Sequence, residues 1–309
     1  MRNTRNILKF IVTIVIITGV LFSIETFLKT KLKSIKTGTI GKINAVIDHQ
    51  IDDEIMIWGA STAYVNINPK ILSDYLKCSV MNMGLDGTNL DQYSGLLKEF
   101  LSYSKKCKTL IIAFDINGGL VQRNQFYQTS LWVHQLDNPR IVNTFNEINP
   151  ELLNNPFPFS HLTLYDKHII KYLKSNPFPS DEKLYFPTKG FNSLHPIPIP
   201  LKNPKKKTIK ISQRIVKKID DICKLAIAKN IKPIIVITPC FEKGQKSILN
   251  KNEIISTLNE FSSPLVTVLD LHNTPLSSDS NNFNDNVHLN SNGSTSFSEM
   301  LAQLLKNTK

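Results

Sequence analysis

Glu54-Ile55-Met56-Ile57-Trp58-Gly59-Ala60-Ser61-Thr62 decides how this chain folds. The apolar run that follows Glu54 and stops at Gly59 reads as a short strand buried on both faces and closed by a turn. The turn hands the chain to Ser61, so a hydroxyl sits just beyond the carboxyl end of the first strand, at residues 54–58.

The same unit recurs outward from there. Residues 80–83 form a second strand ending at Gly84, and residues 110–114 a third ending at Asp115-Ile116-Asn117. A fourth strand is expected at 233–238 and a fifth at 265–271. Between them lie helical patterns. In 90–103, Leu90, Tyr93, Leu96, Leu97, Phe100 and Leu101 share one face; in 209–229, Ile211, Ile215, Ile219, Ile222, Leu225 and Ala226 do. Further helices are expected at 248–261 and 293–305. Strands alternating with helices of this length imply an α/β fold, a three-layer sandwich around a five-stranded parallel sheet. Ligands of such sheets bind beyond the carboxyl ends of the strands.

A second stretch carries chemistry. In Asp285-Asn286-Val287-His288-Leu289-Asn290 an Asp precedes a His by three residues and can turn back to accept the proton of imidazole Nδ1. Nε2 is then free to take a proton from a serine hydroxyl, which is what a Ser-His-Asp relay requires. Ser61 is the candidate nucleophile, His288 the general base and Asp285 its orienting partner. Each also has a structural use: Ser61 could cap a helix starting near Thr62, and Asp285 a turn.

Gly59-Ala60-Ser61-Thr62, Asn82-Met83-Gly84 and Asp285-Asn286-Val287-His288-Leu289, each after a strand or before the last helix, resemble the SGNH (GDSL-like) hydrolase superfamily. The likeness is to its membrane-anchored branch, near the DltD-like and polysaccharide O-acetyltransferase proteins. It covers most of residues 52–307 and implies a flavodoxin-like sheet, an acyl-serine intermediate and no cofactor or metal. It further implies that Gly84 donates its N–H to the oxyanion alongside Ser61, each such donor being worth roughly 3 kcal/mol. The family's Gly-x-Asn block appears as Asp115-Ile116-Asn117. Asn117 keeps its place as a third donor, whereas Asp115 replaces the glycine with a carboxylate that would oppose an oxyanion unless it points away. The α/β-hydrolase nucleophile elbow does not fit, because Ala63 stands where its second glycine belongs.

Around this body the chain has two other regions. Phe10 to Ile24 carries no charge and follows Arg2, Arg5 and Lys9, so residues 1–28 are expected as a transmembrane anchor, in preference to a cleaved signal peptide, with the body outside the cytoplasm. Residues 29–51 are expected as a linker. Residues 118–208 form an inserted cap, for ten of the sixteen prolines fall between Pro150 and Pro204 and disfavour long helices there. If the cap folds over the sheet, Trp132 and His134 could line a sugar cleft, the alternative being that Trp132 is core.

The net charge of +12 includes a cluster at Lys202, Lys205, Lys206, Lys207 and Lys210, suited to an acidic glycan, to anionic lipid or simply to a solvated surface. The anchor and the lack of any aromatic-basic module exclude nucleic acid as a partner. Cys78, Cys107, Cys223 and Cys240 show no zinc spacing and are expected as free thiols, with one disulfide open to an exported body. The expected function is that of a serine esterase or O-acyltransferase on acylated cell-surface carbohydrate, served by a multi-span membrane acyltransferase. The alternative is a non-catalytic scaffold of the same fold that binds a glycan or that acyltransferase.

Overall fold

The computed structural model describes residues 2–153, 159–166, 169, 173–174, 186–197 and 203–307. Five strands, β1 (Ile55–Gly59), β2 (Val80–Asn82), β3 (Thr109–Phe114), β4 (Lys232–Ile237) and β5 (Thr267–Asp270), form one sheet in the order β2-β1-β3-β4-β5. Every pairing is parallel, with Ile57 beside Ile111 and Ile111 beside Ile234 in the central register. This is the flavodoxin-like order, whose switch point lies between β1 and β3.

Alternation along the strands divides the core in two. Met56 and Trp58 of β1, with Leu110, Ile112 and Phe114 of β3, face α5 (Leu90–Tyr103) and Ile215, Ile219 and Ile222 of α7 (Gln213–Ile227). Ile55, Ile57, Ile111 and Ala113 face the other way, toward Ile67, Leu72 of α4 (Pro69–Leu76) and Phe297 and Leu301 of α10 (Ser291–Asn307). A sheet covered on both sides needs strands apolar at every position, which is why the runs were continuous.

The structure departs from expectation in three places. The helix expected at 248–261 is shorter, α9 (Lys251–Asn259), and a further short helix, α8 (Glu242–Ser247), precedes it; between them Ile248 leaves the helical conformation to pair in parallel with Lys207. The linker at 29–51 is instead ordered: α1 (Arg2–Lys33) runs into it and α2 (Gly38–Ile47) follows, with Ile40, Ile43 and Val46 buried. Asn44 makes the junction. Its Nδ2 donates to the carbonyls of Leu32, Lys33 and Ile35 at 2.8, 3.2 and 2.9 Å, which satisfies acceptors that a helix end leaves open. Its Oδ1 accepts from His134 Nε2 at 2.8 Å and Gln135 Nε2 at 2.7 Å.

The third departure is the insertion. Its helix α6 (Pro139–Ile148) packs on α5, and Phe126 stacks on Phe145 at 3.8 Å and meets Trp132 edge-on at 5.6 Å. Trp132 and His134 are therefore core residues; burial pushes the His134 imidazole down to about 3, so it is neutral. The motifs at Pro156–Pro158, Pro177–Pro179 and Pro198–Pro200, with His168 and Lys202, lie outside the described residues. All four cysteines are free. The segment Thr4–Lys33 of α1 is apolar and long enough to cross a membrane, with a mean hydropathy of 2.6 and most of its large apolar side chains up to Phe27 exposed.

Candidate active site

β1 ends at Gly59, and the chain turns at Ala60 into α3 (Ser61–Asn66), with Ser61 as its first residue. A side chain at Cα of Gly59 would meet Ala63 Cβ and the Ala113 carbonyl below 3.0 Å, so only glycine lets the strand turn this tightly. As the first helical residue Ser61 has no intrahelical acceptor for its N–H.

The loop before α10 supplies the other two groups. Asp285 Oδ1 accepts the N–H groups of Val287 and His288, both at 2.8 Å, which leaves Oδ2 for the imidazole. His288 Nδ1 lies 2.6 Å from Asp285 Oδ2, and Nε2 lies 2.7 Å from Ser61 Oγ. The tautomer that fits has Nδ1–H donating to the carboxylate and Nε2 accepting from the hydroxyl. Burial opposes the charged imidazolium, but the Asp285 hydrogen bond and charge, helped by Asp115 and Asp86, outweigh it and hold His288 above its ordinary value. Burial likewise favours the neutral acid at Asp285, while its bonds to His288 and to the backbone prevail and hold the carboxyl below the usual range.

Asn66 fastens the two halves together. At the far end of α3, fully buried, it donates Nδ2–H to the Val287 carbonyl at 3.0 Å and accepts the Leu289 N–H on Oδ1 at 2.8 Å. The two residues flanking His288 are thus held by the helix that begins with Ser61. Phe241 N–H and Cys240 Sγ also hold the Asn286 carbonyl, at 2.9 and 3.2 Å.

A cavity of about 190 Å³ opens at Ser61, with Thr62, Gly87, Asn117, Arg123 and His288 among its walls. Asn117 is brought to it as expected. Asp115 Oδ1 accepts the N–H groups of Asn117 and Gly118 at 2.8 and 2.7 Å, so this carboxylate shapes the turn carrying Asn117. Burial pushes the Asp115 carboxyl up.

Gly84 is not brought to the cavity. Its N–H donates to Asn82 Oδ1 at 2.8 Å, its carbonyl accepts from Lys42 Nζ at 2.7 Å, and a Cβ there would strike the backbone of Tyr64 at 2.4 Å. Gly84 is glycine because α3 packs on it. In the loop that follows β2 the glycine that reaches the cavity is Gly87, at φ +70°, whose N–H makes no hydrogen bond among the described residues. The Asp86–Gly87 dipeptide is the sequence signal that marks this turn. Asn82 ties the loop to α3 through the carbonyls of Ala63 and Ile67, at 2.7 and 2.8 Å. Lys42, buried on α2 and also bonded to the Gly190 carbonyl at 2.7 Å, is pushed down to about 7 by burial.

On the other side of His288 lies a wider cavity of about 500 Å³, whose walls include Asn117, Cys240, Gly244, Lys205 and Lys207. Among the described residues no cluster of His, Cys, Asp or Glu could hold a metal ion.

No protein-family model matches the sequence, and no curated protein does. The solved structures similar to it include these two. One is a protein assigned to the G-D-S-L lipolytic family from Desulfitobacterium hafniense DCB-2, 14% identical over 81% of this chain and 99% of that chain, with a TM-score of 0.40. The other is assigned as a platelet activating factor from Streptococcus pneumonia, 11% identical over 95% of this chain and 98% of that chain, with a TM-score of 0.38. At these scores neither likeness bears on the chemistry, which rests on the geometry of the site.

Proposed function

We propose that this protein is a serine esterase or O-acyltransferase that works through an acyl-Ser61 intermediate on acyl esters of cell-surface carbohydrate, held at a membrane by α1. The observation that carries it is the unbroken relay from Ser61 Oγ through His288 to Asp285, with distances of 2.7 and 2.6 Å. Surface histidines do not assemble such a relay with a serine more than two hundred residues away.

The steps follow from the groups present. Ser61 Oγ attacks the ester carbon while its proton passes to His288 Nε2, and Asp285 stabilises the imidazolium. The carbonyl oxygen takes up the negative charge among the N–H of Ser61, the N–H of Gly87 and the Asn117 amide. His288 returns the proton to the leaving alcohol oxygen as the carbon–oxygen bond breaks. Water or a sugar hydroxyl then repeats the sequence on the acyl-serine. The pocket at Ser61 mixes apolar walls, Leu90, Phe114 and Val287, with Arg123, Asp115 and the buried Thr62 hydroxyl, which has no partner among the described residues. A cavity of about 190 Å³ leaves little room for a fatty chain, which would also bury the Thr62 hydroxyl without bonding it, so a short acyl group fits best.

A carboxylate at Asp115 that opposed the oxyanion would favour a non-catalytic scaffold. With one carboxylate oxygen committed to the turn at Asn117, it supports the site and does not favour that alternative. Labelling of the full-length protein with a fluorophosphonate probe tests the proposal, comparing wild type with Ser61→Ala. Labelling that depends on Ser61 is the expected result. Its absence in folded protein would end the acyl-serine reading.

A further inference from the structure

The wider cavity beyond His288 takes no part in forming the acyl-serine. Its position gives it a role, provided the acyl-serine chemistry proposed above holds. The proton held on His288 Nε2 must reach the leaving oxygen, so the alcohol portion of the ester lies on the His288 side. A cavity of about 500 Å³ that shares Asn117, Val287 and His288 with the pocket at Ser61, but is not lined by Ser61 itself, is where that portion extends.

The charge of this cavity is one-sided. Asp285 is the one carboxylate among its lining residues, and it is committed to His288 and to two backbone N–H groups. Lys205 and Lys207 are exposed, line the cavity and make no ion pair among the described residues. Nor are they on a loose segment. Lys207 N–H donates to the Ser247 carbonyl at 2.8 Å and its own carbonyl accepts from Leu249 N–H at 2.9 Å, in the bridge that separates α8 from α9. Two residues on, Asn250 grips Ile209 by both backbone groups, each at 2.8 Å. Successive side chains of such an extended strap point in opposite directions. Accordingly Lys205 and Lys207 line the cavity and Lys206 does not.

We infer that Lys205 and Lys207 determine specificity: the cavity beyond His288 takes the sugar portion of an acidic polysaccharide, one bearing carboxylates or phosphates along its chain, in preference to a neutral glycan. The two ammonium groups lie beside the path of the leaving alcohol and meet anionic groups on the same or the neighbouring sugar. An anionic lipid surface is the less favoured partner, because these lysines belong to the wall of a cavity that ends at the imidazole.

The test uses the full-length Ser61→Ala protein in detergent micelles, so that binding is read without turnover. Its affinities for polygalacturonate, phosphomannan and unmodified mannan are compared, the first two separating carboxylate from phosphate recognition. At least one acidic polymer is expected to bind about tenfold more tightly than mannan at low salt, with the advantage lost at high salt. Lys205→Gln/Lys207→Gln, with native tryptophan fluorescence, removes that preference; Lys206→Gln/Lys210→Gln, an equal loss of charge outside the cavity, retains it. Equal affinity for mannan, no binding of either acidic polymer, or equal loss in the two double variants overturns the inference. Binding only to vesicles of anionic lipid overturns it in favour of a membrane contact. Absence of Ser61-dependent labelling in the wild type would instead remove the acyl-serine proposal, and these binding results are read independently of it.

Discussion

Asn66→Ala is the perturbation that best separates the position of the catalytic groups from their identity. Asn66 touches neither Ser61 Oγ nor the imidazole, yet it makes two buried hydrogen bonds to the residues flanking His288. Removing it forfeits two bonds at about 1 kcal/mol each and leaves the Leu289 N–H buried without its acceptor, a further cost of about 1–2 kcal/mol. The sum is a destabilisation of about 3–4 kcal/mol, large for one substitution but within the reach of a domain with this much core. Urea unfolding followed by tryptophan fluorescence measures it cleanly, since the chain has two tryptophans, Trp58 and Trp132, and both are buried in the body. In the folded variant the loop holding His288 loses its attachment to the nucleophile helix. Turnover of a small activated ester is therefore expected to fall about 10- to 100-fold, carried by kcat with KM nearly unchanged. The pH at which activity rises should not move, because Asp285 still holds the ring. Full kcat in a folded Asn66→Ala protein would refute the idea that this residue positions the base.

Asp285→Asn is expected to lower kcat by about 10³–10⁴-fold. The base must be neutral to act, so wild-type activity rises with pH through a His288 value held above ordinary histidine; losing the carboxylate moves that rise to lower pH, as a pH–rate profile would show. For Lys42, the folded value of about 7 lies below the ordinary 10.5, so from pH 7 upward the unfolded chain binds more protons and stability rises with pH, by up to about 1.4 kcal/mol per unit. Lys42→Met should lack that slope between pH 7 and 8.5 in parallel urea titrations; identical slopes would show that the amine is charged in the fold. Asn117→Ala, by removing one oxyanion donor, should cost about 10²–10³ in kcat with the labelling of Ser61 retained. Gly87→Ala should impair both stability and turnover, since its Cβ would lie 2.2 Å from the Tyr127 ring at a positive φ; wild-type behaviour would show that the loop relaxes freely.

What could be read from the sequence follows from how local each signal was. The strands were legible because a doubly covered sheet demands continuous apolar runs. Asp285 and His288 were legible because three residues suffice to bring their side chains together. Helix α2 was hidden because Lys42 and Asn44, polar and apparently solvent-facing, are buried for contacts with Gly84, Gly190 and the end of α1. Helix α6 carried its own start signal in Asn138-Pro139, with Asn138 capping the first turn, but it lay in a region whose prolines argued against helices. That Gly84 stands out in the sequence while Gly87 and Asn66 do not has one cause. Whether a glycine N–H is free, or what an amide side chain grips, depends on partners brought from elsewhere in the chain.

The junction at Asn44 changes what kind of attachment α1 provides. A flexible linker of the length first expected would let the body wander by roughly 25 Å. Instead the last turn of α1 is gripped by Asn44, which His134 and Gln135 hold from the insertion, so helix and body move as one piece. A helix of 32 residues is about 48 Å long, and a bilayer core takes up about 30 Å of it. With the uncharged run at 10–24 centred in a bilayer, the remaining length divides between the two ends of α1, and the part on the body side is a mast of about 9 Å that fixes both the height and the heading of Ser61. If the proposed acyl-ester chemistry holds, substrate must arrive at that height, and the thickness of the surrounding layer, as much as the chemistry of the pocket, then selects what reaches Ser61.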